Sequence, residues 1–232
     1  MSIANILRAL AVLCLLSGFS VPAAAQTIGT VNFAFDSAEL DDTARAEIAK
    51  IADKLKTIDS YKPTVVVGYT DAVGNSGYNL GLGQRRANAV ATALTAQGVP
   101  VDRVGLVESR GETDLLVTVS TPERRNRRVN VTLEQMMTAC NSYRTVPLSQ
   151  SSIGNELQDD LQTRLINATT YFQQFQSDGL NTPAFQVAGA TREACEIAVA
   201  YDMGAFRKLE YAQRCFCNAA RLDVALGKIP PA

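Results

Sequence analysis

Strand and helix patterns alternate over the first half of the chain, and this alternation restricts the fold more than any other feature. Apolar residues alternate with other residues over 29–35, as in a half-buried strand, whereas residues 40–55 have helical spacing. Residues 63–69 contain three consecutive valines, which is typical of a strand buried on both faces. A second helix is predicted over 78–97, and Gly98 is suited to end it.

Two more strands complete this part of the chain, over residues 104–108 and 129–133. Between them, Pro122 predicts a short helical turn, since proline is favoured at the first helical position. Because strands and helices alternate, the predicted fold class is α/β, with a sheet and helices packed as a two-layer sandwich.

The remainder of the chain, from about residue 137, has only helical periodicity. Apolar residues from Ile153 to Phe175 form one stripe, and Phe206 to Leu222 form another. This pattern predicts a small α-helical domain. Its predicted boundaries are Ser151 or Ser152 as the first cap, Gly179 as a stop, a loop over 179–189, Thr191 as the second cap and Gly204 as a break.

The first 25 residues have the pattern of a secretory signal peptide. Arg8 precedes an apolar run, and the small residues Ala23 to Ala25 follow it. We expect cleavage before Gln26; the alternative is an uncleaved N-terminal anchor. The predicted domains are therefore a signal peptide over 1–25, an α/β domain over 26–136 and a helical, cysteine-containing domain over 137–232.

Four cysteines follow the predicted signal peptide: Cys140, Cys195, Cys215 and Cys217. An even number in an oxidising compartment predicts two disulfides, and four cysteines allow three pairings. A bond between Cys215 and Cys217 within one helix would be strained, because alternate residues point apart. We expect each of them to bond a different partner, Cys140 or Cys195. The alternative hypothesis is a redox-active Cys215/Cys217 thiol pair, although thioredoxin-type motifs have two residues between the cysteines.

Composition excludes several classes of function. The chain has no histidine, which excludes Ser-His-Asp and Cys-His catalysis and argues against a zinc site. Its formal net charge of −1, with no basic run, gives no electrostatic basis for binding nucleic acid. We therefore expect a non-catalytic protein with no metal or other cofactor and no nucleic-acid partner.

An acid and a base stand at functionally suggestive positions of the α/β pattern. Asp71 follows the second predicted strand, and Arg86 lies fifteen positions later on the second predicted helix. Such a pair can hold a zwitterion, because a carboxylate attracts an ammonium and a guanidinium binds a carboxylate through two hydrogen bonds. Ligands of α/β folds commonly bind at the carboxyl ends of strands.

The order Gly68 to Gly74, Tyr78-Asn79-Leu80, Arg85-Arg86-Ala87 and Asn126 to Val129 resembles the OmpA-like C-terminal domain of OmpA, Pal and MotB proteins. The resemblance covers about residues 28–133 and implies a mixed sheet. It also implies binding of diaminopimelate-type peptidoglycan in the periplasm, associated with the outer membrane or cell wall. The ligand-binding positions that it implies are Asp71, Arg86, Asn79, Thr70, Asp36, Arg127 and Arg128. Residues 137–232 show no such resemblance.

Other interpretations of these residues remain open at the level of sequence. Asp71 and Arg86 can simply pair with each other, Asn79 can begin a helix, and the two arginines at 127–128 can pack at the sheet edge. Gly81 and Gly83 lie near the predicted site and are expected to loosen the start of its helix. The leading hypothesis is a link between the cell wall and an envelope protein that binds the helical domain; the alternative is a scaffold with a vestigial pocket.

Overall fold

The computed structural model of the chain describes residues 27–58, 60–146 and 148–231. The predicted signal peptide lies outside the described residues. The strands are β1 (Thr27–Asn32), β2 (Thr64–Tyr69), β3 (Val104–Gly111) and β4 (Arg128–Leu133). The helices are α1 (Asp42–Thr57), α2 (Ser76–Ala96), α3 (Met136–Asn141), α4 (Asn155–Ser177), α5 (Pro183–Ala200) and α6 (Phe206–Ala225).

The four strands form one mixed sheet in the order β1-β4-β2-β3. β4 is antiparallel to both β1 and β2, whereas β2 and β3 are parallel. Helices α1 and α2 pack on one face of this sheet and enclose an apolar core with it. The predicted two-layer α/β fold is confirmed, and the valine-rich strand β2 is an interior strand, as its continuous apolar pattern indicated.

Side-chain caps fix where the two helices of the α/β region begin. The carboxylate of Asp41 accepts a hydrogen bond from the backbone N–H of Ala44 at 2.7 Å and so caps α1. The side chain of Asn75 accepts from the N–H of Tyr78 at 2.9 Å and caps α2. Helix α2 therefore begins at Ser76, two residues before the predicted start, and Asn79 is not its cap.

Two glycines bring α2 into direct backbone contact with the sheet. A Cβ atom on Gly68 of β2 would lie 1.9 Å from the carbonyl oxygen of Gly83 on α2. A Cβ atom on Gly83 would lie 2.2 Å from Oγ of Ser109 on β3. Gly81 and Gly83 do not interrupt the start of this helix, and the expectation that they loosen it stays a prediction. The helix is continuous from Ser76, and Gly83 allows its close approach to the sheet.

Helices α4, α5 and α6 pack against one another, and disulfides tie α6 to the elements around it. Cys140 of α3 is bonded to Cys217, with Cα atoms 4.8 Å apart, and Cys195 of α5 is bonded to Cys215, at 4.6 Å. The expectation that Cys215 and Cys217 take different partners is confirmed. Cys215 and Cys217 therefore do not form the pair that the redox hypothesis requires.

Two predicted boundaries of the helical region are wrong, and proline explains one of them. Helix α5 begins at Pro183 after the cap Thr182, because proline is favoured at the first helical position rather than only in loops. Thr191 lies inside this helix, where its hydroxyl donates to the carbonyl of Val187 at 2.7 Å. Helix α4 follows Gly154 rather than Ser151 or Ser152, which lie in a short 3-10 turn.

Among the remaining features, two predicted helix ends agree with the structure and two short segments differ from the prediction. Gly179 has a positive φ of 66° just after α4 and ends it as predicted. The break before α6 contains Gly204, also as predicted. The segment after Pro122 makes a turn at residues 124–126 but no helical turn, and the short helix α3 was not predicted.

The helical region packs against the end of the sheet where β2 begins and β4 ends. Tyr61, just before β2, stacks on Phe216 of α6 with ring centroids 5.4 Å apart. Its hydroxyl donates to Asp160 of α4 at 2.6 Å, and its burial raises the pKa of the phenol. An ion pair between Arg144 and Glu134 joins the two regions after β4. These three contacts all lie at the same end of the sheet. Among the described residues, none of the helices combines the length and apolar character that a membrane crossing requires.

Candidate functional site

Six of the seven predicted site residues converge on the sheet edge where β1 and β2 end and β4 begins. Both β1 and β2 run antiparallel to β4, so their carboxyl ends lie at the same edge. Thr70 and Asp71 follow β2 directly, and Arg127 immediately precedes β4. This edge lies at the other end of the strands from the contact with the helical region.

Asp71 forms its ion pair with Arg127 rather than with Arg86. Asp71 is 4% exposed, and its Oδ2 accepts from Nη1 of Arg127 at 2.8 Å. The same oxygen accepts from the backbone N–H of Glu123 at 3.3 Å. Nε of Arg127 donates to the carbonyl of Phe33 at 3.2 Å. The pair thus joins the loop after β2 to the segments that follow β1 and precede β4.

Arg86 is fully buried and donates only to backbone carbonyls among the described residues. Its Nε donates to Ser37 at 2.7 Å, its Nη1 to Tyr69 at 2.9 Å and its Nη2 to Ala34 at 3.2 Å. Burial lowers the pKa of the guanidinium to about 10, against the opposing effect of nearby Asp71. Arg86 therefore carries a positive charge at neutral pH and holds α2 to the chain segments that follow β1 and β2.

Two further predicted residues shape the loop after β2. Asn79 donates from Nδ2 to the carbonyls of Val73, at 3.2 Å, and of Asp71, at 3.4 Å. It therefore holds this loop against the first turns of α2. Thr70 is buried, and its backbone N–H donates to the carbonyl of Gly111 at 2.9 Å. Its hydroxyl has no hydrogen-bond partner within the part of the chain that the structure describes.

An exposed rim surrounds these buried groups. Asp36 has a positive φ of 51°, and its carboxylate accepts a short hydrogen bond from the hydroxyl of Tyr78. This bond raises the pKa of the Tyr78 phenol. The Phe35 ring is 52% exposed and lies 5.8 Å from the Arg127 guanidinium. Sequence reasoning did not select Phe35 or Tyr78; the position of Phe35 beside Asp36 was the available indication.

Arg128 lies on the other face of the sheet. Successive residues of a strand point to opposite faces, which separates Arg128 from its neighbour Arg127. The guanidinium of Arg128 is 3.9 Å from the centroid of the Tyr69 ring, and Nη2 donates to the carbonyl of Asp114 at 3.0 Å. Burial lowers its pKa. The structure thus brings six of the seven predicted residues together: Asp71, Arg86, Asn79, Thr70, Asp36 and Arg127.

The assembled site offers one buried carboxylate, two buried guanidinium groups and an aromatic rim. A carboxylate and a guanidinium at low dielectric favour a ligand that carries an ammonium and a carboxylate. Whether these residues contact a ligand stays a prediction. Among the described residues, His, Cys, Asp and Glu form no group arranged to hold a metal ion.

The candidate site lies within the part of the chain that is similar to a known protein family. The model of the OmpA family matches residues 32–128. The chain is 38% identical over 122 residues to outer membrane porin F of Pseudomonas aeruginosa, covering 49% of this chain and 33% of that protein. It is 37% identical over 109 residues to the peptidoglycan-binding protein ArfA of Mycobacterium tuberculosis, covering 46% and 33%.

These curated relatives are longer proteins, and the chain spans about a third of their length. Among solved structures, the peptidoglycan-associated lipoprotein from Burkholderia pseudomallei is 33% identical. The match covers 45% of this chain and 89% of that chain, with a TM-score of 0.41.

Proposed function

Because residues 32–128 form an OmpA domain, we propose that the chain is a non-catalytic peptidoglycan-binding protein of the cell envelope. The supporting observation is the convergence of Asp71, Arg86 and Arg127 at one sheet edge within the matched residues. A relative named for peptidoglycan binding, ArfA, supports the same ligand class. The periplasm, with association to the outer membrane or the cell wall, is the corresponding location.

The finer part of the proposal concerns diaminopimelate, whose side chain ends in an ammonium and a carboxylate. The ammonium binds Asp71, and the carboxylate binds the guanidinium of Arg86. Within the described residues, both hydrogen bonds to the Asp71 carboxylate use Oδ2, which leaves Oδ1 for the ligand. Arg86 uses three of its five N–H groups in the bonds to backbone carbonyls. Since Arg86 has no exposed surface, its contact with a ligand requires movement of the groups that cover it.

The helical region, in this proposal, binds an envelope partner while the sheet edge binds the wall. Its packing at the opposite end of the sheet supports this division, because neither surface blocks the other.

A second function has its own supporting observation. Arg86 is 0% exposed, and the carboxylate of Asp71 is already paired with Arg127. A pocket closed in this way favours a scaffold that keeps the OmpA fold but no longer binds peptidoglycan. The two functions differ in a single measurable property, which is affinity for the wall.

Sedimentation with purified peptidoglycan tests the proposal. We expect the protein without residues 1–25 to pellet with diaminopimelate-type peptidoglycan. We expect Asp71→Asn to bind at least about tenfold more weakly, since it removes a buried charge with little change of shape. Asp114→Asn is the matched control, because this exposed acid lies beside Arg128 on the other face of the sheet. Circular dichroism establishes that both variants are folded.

A second polymer tests the role of Arg86 without altering the protein. Lysine-type peptidoglycan keeps the side-chain ammonium but lacks the adjacent carboxylate. If Arg86 binds that carboxylate, the affinity for lysine-type walls is at least about tenfold lower. Equal binding to both polymers would contradict the role of Arg86. No binding to either polymer would favour the scaffold.

A further inference from the structure

A groove of about 740 Å³ lies between α1 and α2. Its walls include the apolar side chains of Leu40, Ile48, Ala89 and Ala93. This volume falls within the range of pockets that hold small organic ligands. Neither the candidate site nor the contact with the helical region uses this groove.

The groove begins at the rim of the candidate site. Arg85 lines it and precedes Arg86 on α2; the two side chains point about 100° apart, so that Arg86 faces the sheet while Arg85 is exposed. The guanidinium of Arg85 lies 5.6 Å from the centroid of the Tyr78 ring, whose hydroxyl binds Asp36. Arg85 therefore lies between the rim of the candidate site and the groove.

The charges of the groove favour an anionic occupant. Arg45 and Arg85 line it, and Glu39 is the one acid among its described lining residues. Within the described part of the chain, neither arginine forms an ion pair with an acidic side chain. The two exposed cations can bind carboxylates, and the apolar side chains beside them can contact methyl groups. A peptide that carries both kinds of group is therefore a suitable occupant.

We infer that this groove binds the stem peptide on either side of diaminopimelate, an inference that rests on the proposed function. In that peptide a γ-linked glutamate with a free carboxylate precedes diaminopimelate, and alanine follows it. The glutamate carboxylate and the carboxyl terminus match Arg45 and Arg85, and the alanine methyl groups match the apolar walls.

The length of the groove agrees with such an occupant. Its wall on α2 extends from Arg85 to Ala96, which is about 16 Å along the helix axis. About five residues of an extended peptide span this distance. A stem peptide whose diaminopimelate side chain binds the candidate site is thus long enough for its backbone to follow the groove along α1 and α2.

Titration calorimetry with two soluble ligands tests the inference. We expect the tetrapeptide L-Ala-γ-D-Glu-diaminopimelate-D-Ala to bind at least about tenfold more tightly than free diaminopimelate. Arg45→Gln should weaken the tetrapeptide about three- to fivefold, as the loss of an exposed ion pair does, and leave free diaminopimelate within about twofold. Thr92→Trp places a bulky ring on the exposed wall of the groove and should weaken the tetrapeptide alone.

Lys50→Gln is the matched control, because Lys50 is an exposed cation on α1 outside the groove. It should change neither affinity. Equal affinity for the two ligands in the unaltered protein, or tetrapeptide binding unaffected by both groove variants, overturns the groove assignment while wall binding stands. Binding of neither ligand overturns both the groove assignment and the diaminopimelate site.

Discussion

The α/β region and the helical region each bury a cation against backbone carbonyls, but they draw those carbonyls from different distances along the chain. Arg86 donates to three carbonyls that are 17 to 52 residues away. Lys208 donates to two carbonyls, of Ala198 and Tyr201, that are 10 and 7 residues away. The arginine therefore connects separate segments of the α/β region, whereas the lysine closes one junction between consecutive helices.

This difference indicates how each region maintains its tertiary structure. In the α/β region, buried polar contacts join the ends of β1 and β2, the start of β4 and α2 at the candidate site. In the helical region, the long-range connections are two disulfides and an apolar core. The polar contacts that stabilise the first region thus coincide with its candidate binding residues, while the helical region is stabilised away from that site.

The largest expected effect is the loss of a disulfide, which should affect the helical region alone. The bonds span 77 residues for Cys140–Cys217 and 20 residues for Cys195–Cys215. Loop-closure entropy predicts a loss of about 4.5 kcal/mol for the first bond and about 3.3 kcal/mol for the second. Paired Cys→Ala variants in denaturant-unfolding experiments measure both values.

Hydrogen exchange on the same variants tests whether the two regions unfold independently. We expect faster exchange in α5 and α6 and unchanged exchange in β2. Equal acceleration in β2 would contradict the comparison and make the two regions one cooperative unit.

The next largest effects are expected from replacing each of the two buried cations. Arg86→Met leaves three carbonyls without their donor and should lower the free energy of unfolding by about 3 kcal/mol or more. Lys208→Met removes two such bonds and should cost about 2 kcal/mol. Chemical denaturation gives both values, and Arg85→Met is the exposed control for Arg86. A larger loss for Lys208→Met than for Arg86→Met would reverse the comparison.

The smallest effect concerns the contact of α2 with the sheet. Gly83→Ala places a Cβ 2.2 Å from Oγ of Ser109 and 3.0 Å from the carbonyl oxygen of Gly68, which should cost about 1–3 kcal/mol. Gly81→Ala on the same helix meets only the end of the Arg85 side chain, at 3.5 Å, and should stabilise by up to about 1 kcal/mol. Thermal unfolding distinguishes the two signs; the same sign for both variants would refute this account of Gly83.

The periodicity of the sequence predicted most elements, because burial on one helical face or on strand faces leaves a local record. The alternating pattern before Asp36 and the valines of β2 predicted strands, and the apolar stripe from Ile153 to Phe175 predicted α4. The prediction failed at residue types that have more than one common structural role. The sequence predicts a loop at Pro183, which instead begins α5, and it predicts a weak helix at Gly83, which instead packs against Gly68.

The sequence by itself determined the fold class, the presence of a charged cluster after β2 and the separate partners of Cys215 and Cys217. Only the tertiary structure decided that Asp71 pairs with Arg127 while Arg86 binds carbonyls. The physical reason is that a pattern of residue types records burial and local geometry. The partner of a long side chain depends instead on which distant segments the sheet brings within about 3 Å of it.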